Sequence, residues 1–144
     1  MHGRALDLFA GSGQLGIEAL SNGCDSVVFC DHDAISMKLV KENVKRAGYG
    51  SRSEILDCDY KHFLKYKAGR EEFDVIFLDP PFDSLLAGKS LTYIAGADCL
   101  KPGGLIVLEA PLDSGFQTVY GNISLKKTYR YGQIAVHIYT KAGE

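Results

Sequence analysis

The stretch RALDLFAGSGQLG, Arg4 to Gly16, joins a strand-like run (Arg4 to Phe9) to a glycine loop and the first turn of a helix. Within it, Gly11-Ser12-Gly13-Gln14-Leu15-Gly16 fits the spacing G-x-G-x-x-G. The next β-branched run, Val27 to Cys30, is followed by Asp31, 20 residues after Gly11. A glycine loop between strand and helix, with an acid at the end of the following strand, is the pattern of a nucleotide-type site in a parallel α/β sheet. The glycines let the backbone approach a ligand closely, and a strand-end carboxylate can hold both hydroxyls of a ribose.

The alternation continues along the chain. Gln14 to Asn22 reads as a helix with Leu15, Ala19 and Leu20 on one face, stopped at Gly23. Ala34 to Ala47 reads as a second, with Ile35, Leu39 and Val44 at helical spacing and Gly48 as its stop. Glu54 to Leu56 is a short strand and Tyr60 to Tyr66 a short helix. Phe73 to Leu78 is a strand that ends at Asp79-Pro80-Pro81. A helix over Ser84 to Leu100, a turn at Lys101-Pro102-Gly103-Gly104 and a strand over Leu105 to Leu108 follow. Ser124 to Tyr129 and Ile134 to Tyr139 have no helix between them and read as an antiparallel hairpin. The expectation is a doubly wound α/β fold with a mainly parallel, seven-stranded sheet and a C-terminal antiparallel hairpin.

Composition agrees. The 144 residues are 46 % hydrophobic and 24 % charged, ordinary values for one globular domain spanning residues 1–144. No run approaches the roughly 20 apolar residues that cross a bilayer. A strand-like run follows Met1-His2-Gly3-Arg4 at once, so no signal peptide is expected and the location is read as cytoplasmic. A net charge of −2 excludes bulk basicity as an anchor for nucleic acid, though not a local basic patch. Cys24, Cys30, Cys58 and Cys99 show neither C-x-x-C nor zinc-ligand spacing, and are read as buried reduced thiols. No metal is expected.

The acids narrow the ligand. Asp7, four residues before Gly11, would repel a pyrophosphate but suits a cation. S-adenosylmethionine carries an ammonium and a sulfonium and no phosphate. Asp59, just after the third strand, can accept a hydrogen bond from an adenine amine. A nicotinamide-dependent oxidoreductase, the literal reading of the glycine spacing, fits Asp7 poorly.

Asp79-Pro80-Pro81-Phe82 suits a substrate amine. Prolines cannot donate to a ladder, so pairing stops and backbone carbonyls are left as free acceptors. With the Asp79 carboxylate they can hold both N–H groups of an exocyclic amine, while Phe82 offers a flat face to its ring. Acceptors out of the ring plane favour a pyramidal nitrogen, aim its lone pair at a methyl donor and stabilise the charge that develops.

LDLFAGSGQLGIEALSNG (Leu6 to Gly23), DHD (Asp31 to Asp33), Asp59, FLDPPF (Phe77 to Phe82) and YGQIAVHIY (Tyr131 to Tyr139) together resemble the bacterial 16S ribosomal RNA guanine-N2 methyltransferases, the family that modifies guanine 966. The resemblance covers essentially the whole chain. It implies a Rossmann-like, S-adenosylmethionine-dependent enzyme acting on 16S rRNA or the small ribosomal subunit. It places Asp7, Gly11 and Gly13 at the methionine end of the cofactor, Asp31 at its ribose and Asp59 at its adenine amine. Asp79 and the Pro80 carbonyl would hold the guanine N2 amine and Phe82 would stack on the base, which must be unpaired or flipped out. Family members carry a basic segment before the first strand, so the chain is expected to lack that N-terminal segment. A DNA adenine-N6 methyltransferase uses the same chemistry and stays the alternative, as does a cofactor-binding fragment inactive without that segment. The chain is expected to be monomeric, with no membrane partner.

Two basic groups could meet phosphate. Lys38, Lys41 and Lys45 share a face of the second helix beside Arg46, and are read as a solvated face. Lys126, Lys127 and Arg130 lie by Tyr129 and Tyr131, which could stack on bases. His32, His62 and His137 show no catalytic pattern.

Overall fold

The first strand is apolar because it lies between two helical layers. A computed structural model of the chain describes residues 2–69, 71–81 and 84–143. β1 (Arg4–Leu8), β2 (Ser26–Asp31), β3 (Ser53–Asp57), β4 (Phe73–Leu78) and β5 (Leu100–Pro111) are paired in parallel in the order β3-β2-β1-β4-β5. β6 (Val119–Tyr120), β7 (Ile123–Tyr131) and β8 (Ile134–Lys141) extend the sheet as β5-β8-β7-β6, each pair antiparallel. The sheet therefore has eight strands rather than seven. β6 is two residues long, too short to show any period in the sequence.

The strand side chains alternate between two cores. Leu6, Leu8, Val28, Cys30, Ile76 and Leu78 pack with Phe63, Leu91 and Ile94 on the side of α3 (Tyr60–His62) and α4 (Ser84–Ala97). Ala5, Val27 and Phe29 pack with Ala19, Leu20, Val40 and Val44 on the side of α1 (Gln14–Ser21) and α2 (Ala34–Ala47). Each fully buried Leu, Ile or Phe contributes roughly 1.5–3 kcal/mol of transfer free energy. The four cysteines are all buried and free.

Four expectations need correction. α2 buries Met37, Val40 and Val44, and leaves Ile35 72 % and Leu39 41 % exposed. The short helix over Tyr60 to Tyr66 is one α-turn that widens into a π-helical turn over Phe63–Lys67. α4 ends at Ala97, where Asp98 takes a left-handed φ of 54°. Lys101-Pro102-Gly103-Gly104 is not a connecting turn but a bulge inside β5. Leu100 pairs with Phe73 and Leu105 with Val75, so Lys101 to Gly104 bow out opposite Asp74. Gly103, at φ 79°, lets the strand bend there.

The sheet order reverses between β1 and β4: the chain steps outward from β1 to β3 and then crosses back to β4. The crevice beyond the carboxyl ends of these two strands is where such sheets bind ligands. Gly11 follows β1 there, and Asp79 follows β4.

Candidate active site

The glycine loop is shaped by two different demands. Gly13 has φ 85°, and a Cβ on it would come within 2.7 Å of the Val40 side chain. Gly16 touches the Phe29 ring, so it is glycine for helix–sheet packing. Gly11, at φ 57°, has open space where a Cβ would point. Of the three, Gly11 is the one whose bare backbone faces the crevice.

Asp31 ties the loop to the second strand. Its Oδ2 accepts the Gly11 N–H at 2.8 Å, and its Oδ1 accepts the N–H groups of His32 at 2.7 Å and Asp33 at 3.1 Å. Asp33 caps α2, accepting the Ser36 N–H at 2.9 Å, and that bond holds its carboxyl below the usual range. Asp7 is 1 % exposed and its Oδ2 accepts the Gly16 N–H at 3.1 Å. Burial pushes the Asp7 carboxyl up to about 7; the Gly16 bond opposes this, and the charges of Asp79 and Asp31 add to it.

These groups line a cleft of about 580 Å³, with Phe9, Ala10, Ser12, Pro80 and Pro81 among its walls. Four carboxyls face it, from Asp7, Asp31, Asp33 and Asp79, and no Lys, Arg or His does among the described residues. A helix N-terminus is usually an anion site. Here one of its N–H groups, that of Gly16, is already bonded to Asp7. The cleft therefore disfavours a pyrophosphate and fits a cationic ligand with hydroxyls and an open approach at Gly11. Carboxylate acceptors of this kind suit an ammonium group and ribose hydroxyls better than a pyrophosphate.

Asp79, Pro80 and Pro81 also line a second cavity, of about 810 Å³, walled by Ala87, Glu109 to Phe116, Gln133 and Ile134. The two hollows share this tripeptide. Asp79 is exposed at their junction, and its carboxyl is raised by partial burial and by the charge of Glu109. Phe82 lies outside the described residues.

Asp7, Gly11, Asp31, Asp79, Pro80 and Pro81 thus meet at one crevice. Gly13 lies in the same loop without lining it. Asp59 caps α3, its Oδ1 accepting the His62 N–H at 2.7 Å, and is not among the cleft's lining residues. Three residues at the site were given no role by the sequence. Phe9 holds a strained φ of 67° and stacks 5.3 Å from Tyr60. Glu109 and Phe116 line the second cavity. Glu109 follows the apolar run Leu105 to Leu108, where an acid is common, and only the pairing of β5 with β4 brings it near Asp79. Phe116 sits in a loop with no signal. His137 bonds Thr128 at 3.0 Å and packs on Phe116, and His32 pairs with Asp57 at 3.0 Å. Among the described residues there is no metal-binding cluster, and no helix is long and apolar enough to cross a membrane.

Comparison with known proteins places this site in context. The family model described as conserved hypothetical protein 95 matches residues 1–140. A candidate rRNA methyltransferase of Bacillus subtilis is 37 % identical over 142 residues, covering 98 % of this chain and 77 % of that protein. Ribosomal RNA small subunit methyltransferase D of Haemophilus influenzae is 35 % identical over 135 residues, covering 93 % and 69 %. Among solved structures, a candidate methylase from Haemophilus influenzae superposes with a TM-score of 0.86 at 34 % identity, covering 96 % of this chain and 86 % of that one.

Proposed function

The chain belongs to the conserved hypothetical protein 95 family, and on that premise we propose that it transfers a methyl group from S-adenosylmethionine to the N2 amine of a guanine in small-subunit ribosomal RNA. Ribosomal RNA methyl transfer follows from relatives such as small subunit methyltransferase D. The observation that carries the finer reading is the wall shared by the two cavities. An acid-lined cleft and a cavity with ample room for a base meet at Asp79-Pro80-Pro81, so a methyl donor in one and an amine in the other would face each other across it.

S-adenosylmethionine supplies, when bound, a methyl group on a positively charged sulfur. Asp7 and Gly11 would hold its methionine end, with Gly13 shaping the loop, and Asp31 its ribose; Asp59, outside the cleft's lining, would reach its adenine amine only from the rim. Asp79 and the Pro80 carbonyl would accept the two N–H groups of the target amine, and the motif's Phe82 would offer its ring to the base. These acceptors draw the nitrogen lone pair out of conjugation and stabilise the positive charge that grows on nitrogen. Fixing the amine in line with the methyl donor lowers the barrier further. The methylated nitrogen is acidic and loses its proton late, to Asp79 or to water. Its raised carboxyl makes Asp79 a better acceptor than an ordinary aspartate.

Calorimetry against S-adenosylmethionine and its demethylated product, with NAD as control, tests the cofactor. Asp79→Ala tests the chemistry. The variant should lose methyl transfer to small-subunit RNA while binding the cofactor within a few-fold of the parent. Loss of cofactor binding alone, with transfer intact at saturating cofactor, would contradict the role given to Asp79.

A further inference from the structure

We infer that Glu109 reads the base edge beside the reacting amine, accepting the N1–H of guanine and so selecting guanine over adenine. This rests on the function proposed above. β4 and β5 run parallel with Leu78 opposite Leu108. One residue further on, Asp79 has left β4 while Glu109 continues in β5, paired with Val136 of β8, and both line the 810 Å³ cavity. Like charges at adjacent strand positions are destabilising, so the pair needs a use. Glu109 is exposed, and its carboxylate makes no hydrogen bond or ion pair among the described residues. The rest of the lining adds a third acid, Asp113, and no Lys, Arg or His. That wall repels phosphate and welcomes hydrogen-bond donors.

Base edges differ in what lies next to the exocyclic amine. In guanine, N1–H stands beside the N2 amine, so those two adjacent positions are both donors, with the O6 acceptor beyond them. In adenine, N1 is a lone pair beside the N6 amine, and in cytosine N3 is a lone pair beside the N4 amine. With Asp79 and the Pro80 carbonyl on the amine, a carboxylate on the neighbouring strand accepts the guanine N1–H. Against adenine or cytosine it meets a lone pair and repels it. An open acid-rich edge is thus a filter, which the Asp-Pro-Pro-Phe motif by itself is not.

The test uses small-subunit RNA in which the target guanine is replaced by 2-aminopurine, which keeps the N2 amine and lacks N1–H. The parent chain should favour guanine about tenfold or more in kcat/KM, the usual worth of one base-edge contact. Glu109→Gln places an amide donor where the carboxylate stood, and should narrow or invert that ratio. Glu109→Ala should lower transfer to guanine and leave transfer to 2-aminopurine within a few-fold. Unchanged affinity for S-adenosylmethionine would show that both variants are folded. A parent that treats the two bases alike, or variants that keep its ratio, would overturn the role of Glu109. No transfer by the parent to either RNA would overturn the proposed function itself, and the role of Glu109 with it.

Discussion

Asp7 is a carboxyl group inside a β-strand, 1 % exposed, whose only hydrogen bond among the described residues is from the Gly16 N–H. Its folded value of about 7 stands above the unfolded 3.8. Between those two values the folded chain binds more protons than the unfolded chain, so stability must fall as pH rises. The contribution is complete below about 3.8 and is lost as pH passes through about 7. Asp7→Asn should therefore flatten the decline in thermal midpoint between pH 4 and pH 7, and should be the more stable protein at pH 8. A cation beside Asp7 favours its charged form, so affinity for S-adenosylmethionine should weaken on going from pH 8 to pH 6 in the parent and not in the variant. Parallel pH profiles for the two proteins would contradict the burial argument. Asp7 was legible because a carboxylate in an apolar run has few bland explanations. Glu109 was not, since an acid at a strand end is common and only the neighbouring strand reveals Asp79 beside it.

At the scale of elements, α2 shows why periodicity alone can mislead. Ile35 and Leu39 are four apart, and Met37, Val40 and Val44 are three and four apart, so both sets have helical spacing. Only packing chooses between them, and Val40 is chosen because it fits against the glycine loop at Gly13. Met37→Ala should cost about 2–5 kcal/mol in urea unfolding, whereas Leu39→Ala should stay within about 0.5 kcal/mol. The reverse order would restore the face read from the sequence. The bulge at Lys101 to Gly104 was hidden for a related reason. Pro-Gly-Gly signals a turn, but β4 offers partners on both sides of it, at Phe73 and Val75, and the strand resumes. The strands β1, β2 and β4 were legible within a residue or so, because burial on both faces makes them continuously apolar.

At the scale of the whole molecule, charge is sorted rather than spread. Acids line both hollows around Asp79, while Lys126, Lys127 and Arg130 stand exposed on β7 and Lys38, Lys41 and Lys45 on α2. A net charge of −2 conceals this separation. A polyanion can approach the basic outer surfaces and present only an uncharged base edge to the acidic interior. The sheet order makes this possible by bringing the ends of β1, β4 and β5 together. The central claim is the atom that receives the methyl group. Small-subunit RNA incubated with the chain and isotope-labelled S-adenosylmethionine, then digested to nucleosides, tests it directly. The account predicts that the label resides in N2-methylguanosine and disappears with Asp79→Ala. Label in N6-methyladenosine, or transfer that survives loss of Asp79, would contradict it.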